Sequence, residues 1–146
     1  MLIEQLSVFL QNEKGRLAGM CRILGDAGLD MHALVVADTA EYGVARVICD
    51  RPHSARRVLE AEGLAVSVTR VVAIEIPDRP GGLAEVLECL GTCDINVEYL
   101  YCFPRSDGTT AVDIVRVNDP ERAAECLAAG GFTLVHASQI YEPDPV

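Results

Sequence analysis

Basic residues are scarce in this chain. It carries 12 Lys and Arg against 22 Asp and Glu, a net charge of −10. Phosphate backbones are bound by stripes of Lys and Arg. The basic pair Arg56-Arg57 sits in a helical pattern beside Glu60 and Glu62. A nucleic-acid partner is therefore disfavoured, and the acidity reads as a solubility device. Long apolar runs are missing as well. The opening MLIEQLSVFL has no basic start, carries Glu4 and Gln5, and is too short for a signal sequence or a membrane span. A cytoplasmic protein with no membrane association is expected. Histidines are few: His32, His53 and His136 lie in different elements, and none sits in a metal-protease or nucleophile spacing. Ser54 and Ser138 lack an elbow motif. With no catalytic set, the chain is expected not to be an enzyme and to need no cofactor. Cys21, Cys49, Cys89, Cys93, Cys102 and Cys126 read as reduced, small apolar residues of a cytosolic core. Cys89 and Cys93 lie one helical turn apart, but two thiols without companion ligands do not predict a metal site.

What is present is a core and a repeat. Half the residues are apolar, enough to bury a core and to argue against disorder. A shift of 66 residues lays Gly15-Arg16-Leu17-Ala18 on Gly81-Gly82-Leu83-Ala84, and Leu29-Asp30-Met31 on Ile95-Asn96-Val97. Further on the shift is 68, so that Pro52 falls on Pro120, Leu59 on Leu127 and Gly63 on Gly131. The extra residues fit the turn near Ser106-Asp107-Gly108, where a hairpin tolerates insertion. The chain is a tandem duplication, 1–70 and 71–146.

Each copy reads strand, helix, strand, strand, helix, strand. In the first, 2–11 is β-like, and Leu17, Met20, Leu24 and Ala27 then recur at helical spacing until Gly28. Apolar runs at 30–37 and 44–49 flank the turn ADTAEYG; Pro52 opens a helix that Gly63 closes, and 65–69 is a fourth strand. The second copy has strands at 71–76, 95–103, 110–117 and 133–140, with helices opening at Pro80 and Pro120. This order predicts an α+β fold of two tandem ferredoxin-like units, helices covering one face of each sheet. In the strand NVEYLYCF, Ile95, Val97, Tyr99, Tyr101 and Phe103 are expected to face the helices. Leu6, Val8, Leu10, Leu34 and Val36 would then form an outer apolar patch, the mark of a homodimer or a docking surface.

The repeated corner carries the functional signal. A helix N-terminus exposes unpaired amides with partial positive charge, and a glycine lets an anion approach the backbone. Asn12 and Asp78, three residues before that glycine, can accept from an ammonium group or serve as turn residues. Carboxylate plus ammonium describes a free α-amino acid. Glu98 is a candidate for the same ammonium, or a solvated strand residue.

IPDRPGGLAEVLECLGTCDINVEYL resembles the signature of the ACT domain, a regulatory amino-acid-binding module: Asp78, Pro80, Gly81, Leu83 and Asn96 match it. The first copy has Asn12 for the aspartate, Lys14 for the proline and Asp30 where Asn96 stands. The resemblance implies paired domains with sheets side by side and ligands at their seam. It pairs Asn12, Gly15, Arg16 and Leu17 with the strand start near Asn96 and Glu98. It pairs Asp78, Pro80, Gly81, Gly82 and Leu83 with the start near Asp30. The implied function is allosteric binding of a free amino acid. The alternative is a regulatory subunit that docks onto a separately encoded metabolic enzyme and keeps only a degenerate site.

Overall fold

The computed structural model describes residues 2–38 and 42–146, so 39–41 of the ADTAEYG turn lie outside the described residues. Contacts divide the chain into two units. One is Glu4–Thr69 with Ile140–Val146; the other is Arg70–Gln139 with the first residues of the chain.

The unit built on Glu4–Thr69 contains β1 (Ile3–Gln11), α1 (Arg16–Asp26), β2 (Met31–Asp38), β3 (Tyr42–Cys49), α2 (Pro52–Ala61) and the first part of β4 (Ala65–Pro77). Strand β1 lies between β3 and β4, and β2 pairs with the other side of β3. Amphipathic spacing makes the helices: Met20 and Leu24 of α1, and Ala55 and Leu59 of α2, are buried. They pack on Leu6, Val8 and Leu10 of β1 and on Ala45, Val47 and Cys49 of β3. This corrects the expected outer patch. Leu6, Val8 and Leu10 face the helices and are buried, while Leu34 and Val36 of β2 remain exposed. The opposite parity of β1 carries Ile3, Gln5, Ser7 and Phe9.

The unit built on Arg70–Gln139 contains the rest of β4, α3 (Gly82–Thr92), β5 (Val97–Pro104), β6 (Thr110–Val117), α4 (Pro120–Ala129) and β7 (Thr133–Leu134). Here β4 lies between β6 and β7, and β5 pairs with the far side of β6. Val86 and Leu90 of α3 and Ala123 and Leu127 of α4 pack on Val72, Ile74, Val115 and Val117. The connectivity is βαββαβ twice, an α+β pair of ferredoxin-like folds in which the single strand β4 replaces two expected strands.

Three expectations change here. A register irregularity between Val97 and Tyr99 turns the alternation over, so Leu100 packs on the core while Tyr99, Tyr101 and Phe103 pair with Arg116, Ile114 and Val112. The last strand stops at Leu134. Only the Val135 amide continues the pairing, to the Ala73 carbonyl, before the short 3-10 turn Ala137–Gln139. The cysteines are not all reduced: Cys93 and Cys126 form a disulfide between the end of α3 and α4. Cys21, Cys49, Cys89 and Cys102 are free.

The last segment belongs to the Glu4–Thr69 unit. Tyr141 is buried and its hydroxyl accepts the Glu4 amide at 3.0 Å. The Glu142 carbonyl accepts the Arg51 amide at 2.7 Å, and the Glu142 amide donates to Asp50 at 2.8 Å. Among the described residues no helix is long and apolar enough to cross a membrane.

Candidate ligand-binding corners

Each unit turns from its first strand into its first helix through a left-handed glycine. Gly15 has φ 90° before α1, and Gly81 has φ 86° before α3. Only glycine takes this conformation without penalty. Pro80, expected to open the helix, instead lies in the turn, because α3 begins at Gly82. Gly82 is needed for a different reason: a β-carbon there would lie 2.3 Å from the Pro77 carbonyl oxygen. The turn is closed by Arg16 N–H to the Glu13 carbonyl in one unit and by Gly82 N–H to the Arg79 carbonyl in the other.

Neither helix has a side-chain cap. The other two do. Asp119 accepts the Arg122 amide at the start of α4, and Asp144 accepts the His53 and Ser54 amides at the start of α2. The corners therefore offer first-turn amides to an anion in addition to the positive end of the helix. No Cβ-distance neighbour crowds Gly15, and only the tip of Arg79 comes within 4.0 Å at Gly81.

Asn12 and Asp78 stand exposed at the rims. Arg16 pairs with Glu13 at 3.4 Å. In the other corner Arg79 grips both oxygens of Glu85 at 2.9 and 3.1 Å. Leu17 is exposed and Leu83 half-buried. An open concavity flanks each corner. One of about 280 Å³ is lined by Glu75, Ile76, Pro77, Glu85, Thr110, Gly131, Phe132 and Thr133. One of about 300 Å³ is lined by Phe9, Leu10, Gln11, Arg16, Tyr42, Gly63, Leu64 and Ala65. Apart from Glu85 and Arg16, the two linings correspond under the 66- and 68-residue shifts.

Within a unit the expected site residues do not come together. The Asp78–Leu83 corner is at the Pro77–Thr110 end of its sheet, whereas Asn96 precedes the Val97–Val117 end. Seven residues of β6, 111–117, separate the ends, roughly 20 Å at strand rise. Asn96 is tied there to Asn118, its amide donating to Oδ1 at 3.1 Å. Glu98 is already engaged: Arg116 meets it at 3.1 Å and also donates to the Arg70 carbonyl. In the other unit Asp30 likewise lies at the far end from Gly15, where its carbonyl accepts the Asp50 amide. Beside it His32 bonds Asp50 at 2.8 Å. Burial opposes ionisation of Asp50, but the Glu142 amide and the His32 ring outweigh it and hold the carboxyl below its ordinary range.

Sequence reasoning missed Asp113. It is fully buried in the middle of β6, and neither carboxylate oxygen has a hydrogen-bond partner within ordinary limits. It pairs in register with Ile74 on one side and Cys102 on the other. Burial pushes its carboxyl up to about 6, opposed only by the Cys102 thiol. The thiol is itself raised, by burial first and then by the charges of Asp113 and Asp78. The repeat held the signal. Under the same shifts Asp113 falls on Ala45 and Cys102 on Val36, an apolar pair in the same register.

A family profile described as an ACT domain pair matches residues 1–142. The crystal structure of protein BT0572 from Bacteroides thetaiotaomicron superposes with a TM-score of 0.89 at 33% identity, over 94% of each chain. The ligand-free regulatory subunit of aspartate kinase from Thermus thermophilus superposes at 0.64 with 14% identity, over 86% of this chain and 91% of that one. The same subunit from Thermus flavus gives 0.64 at 13% identity, over 90% and 95%. Comparison with curated protein sequences gives no match. Twin capless corners on a duplicated ferredoxin-like fold, matched along nearly the whole chain, show that the protein belongs to the ACT domain pair family.

Proposed function

We propose that this is a cytoplasmic, non-catalytic regulatory protein that binds a free amino acid. The reading rests on one observation: two equivalent helix N-termini, each opened by a left-handed glycine and lacking a side-chain cap. The ligand carboxylate takes the first-turn amides. Its ammonium is held by Asn12 or Asp78 at the rim. Further along β6 from the second corner, Asp113 adds a buried negative charge; it and Asp78 both raise the Cys102 thiol. Ligand binding shifts the population of a partner-competent state.

A thermal-shift screen of the twenty amino acids on ligand-free protein tests this. At about a hundred times its dissociation constant a ligand adds about 2.7 kcal/mol. A flat screen rejects the reading. The resemblance further implies that residues 12–17 share a ligand with Asn96. Gly15→Val and Asn96→Ala should then weaken binding non-additively in a double-mutant cycle; additive effects in folded variants reject that sharing.

A second reading draws on the exposed side chains of Leu34 and Val36, neighbours on one face of β2. Clustered exposed apolar residues mark docking surfaces, so the chain would act as a regulatory subunit of a separate metabolic enzyme, or as a homodimer. Partner capture by ligand-free protein and sedimentation of the purified chain distinguish these.

A further inference from the structure

We propose that Glu4, His53 and Asp144 form a binding site for a divalent transition-metal ion. Glu4 comes from β1, His53 from the first turn of α2, and Asp144 from the C-terminal segment. Although remote in sequence, each presents one ligand atom, and these atoms lie within 4.8 Å of one another. The His53 Nε2 is 3.0 Å from Glu4 Oε1.

One of the three groups, the Asp144 carboxylate, is already held by other bonds, and the backbone of a second is fixed. Asp144 Oδ2 accepts the His53 amide at 2.8 Å, and its Oδ1 accepts the Ser54 amide and hydroxyl at 2.9 and 2.7 Å. Glu4 is anchored through its backbone amide to the Tyr141 hydroxyl. Preset ligands lose little freedom when an ion binds. Asp144 Oδ2, which accepts a single bond, has a second lone pair to give. Half of the His53 side chain is open to solvent, which provides an entry path.

One imidazole nitrogen with two carboxylate oxygens selects the class of ion. Calcium and magnesium prefer all-oxygen shells, and thiophilic ions prefer sulfur. Zinc, cobalt, manganese and nickel accept a mixed N/O set, with water completing the coordination. The bound ion would join β1, α2 and the Ile140–Val146 segment at one point, making the attachment of that segment depend on metal.

Cobalt(II) is the probe, because its visible spectrum separates N/O ligation from thiolate ligation by the four free cysteines. Chelator-stripped full-length protein is titrated with cobalt(II), alongside Glu4→Gln and His53→Ala. The expected result is one saturable site with weak d–d bands, no sulfur-to-cobalt charge-transfer band, and at least a tenfold loss of affinity in each variant. Circular dichroism checks that both variants fold; Glu4→Gln keeps the backbone bond to Tyr141. No saturable binding, a charge-transfer band at the tight site, or wild-type affinity in either variant overturns the assignment.

Discussion

Asp113 is the residue whose placement costs the fold most visibly. A carboxylate without partners in an apolar layer favours its neutral form, and its value near 6 lies above the ordinary 3.8. The folded state thus holds more protons than the unfolded chain between those values. Stability falls as pH rises through that window, by about 3 kcal/mol at most. Asp113→Ala, the residue found at the equivalent position 45, should raise stability at pH 7 by up to that amount, less about 1 kcal/mol for lost packing. The gain should vanish below pH 4. Urea unfolding at pH 7 and pH 4 checks both signs. If Asp113 holds the ligand ammonium, the same variant should bind the amino acid more weakly while being more stable. Gly82→Ala tests the close backbone approach at the second corner. Its new carbon must displace the Pro77 carbonyl, and a loss of 1–3 kcal/mol is expected.

At the scale of elements, α2 depends on a segment far away in sequence. Its N-terminus has no cap of its own, and Arg51 before Pro52 sits in a left-handed conformation. Asp144 supplies the acceptors, and hydrogen bonds to the His53 and Ser54 amides and the Ser54 hydroxyl outweigh the burial that opposes its charge. Asp144→Ala should cost about 1 kcal/mol and speed amide exchange in the first turn of α2, with α4 unaffected. The helix pair α3 and α4 is joined by Cys93–Cys126, which closes a loop with a sequence separation of 33. By the loop-entropy relation this contributes about 3–4 kcal/mol. Thiol titration of the unfolded, unreduced chain should count the four free cysteines, and reduction should lower the melting temperature. A count of six removes the crosslink and its contribution.

For the whole molecule the pH profile combines opposite signs. Asp50 and Asp144 are held below the ordinary 3.8, so their contribution is present above that value and is lost as pH falls through their folded values. Asp113 works against stability above about 6. The net charge of −10 adds self-repulsion at neutral pH. Melting temperature should therefore peak between about pH 4 and 6, with Asp113→Ala flattening the decline toward pH 7. Calorimetry across pH 3 to 8 reads this directly. A maximum at pH 8 would mean that Asp113 is solvated or paired in solution.

The repeat, the order of elements and both corners were legible in the sequence by itself, because they depend on local causes. Helical spacing of Leu17, Met20 and Leu24, the positions of Gly15 and Gly81, and the proline starts at Pro52 and Pro120 act within a few residues. The direction each strand faces was not legible. In β1 both parities carry apolar groups, Ile3 and Phe9 against Leu6 and Val8, so alternation alone does not choose the buried face. Nor was the irregularity at Val97, which reverses the faces of the tyrosines in β5. In the sequence Asp113 is one charge in an apolar strand, and only burial and its unpaired oxygens set it apart. Pairings between distant segments were least visible of all: Cys93 with Cys126, and Asp144 with Ser54. Such contacts are decided when separate elements settle on their cores, and sequence spacing carries no record of that tertiary neighbourhood.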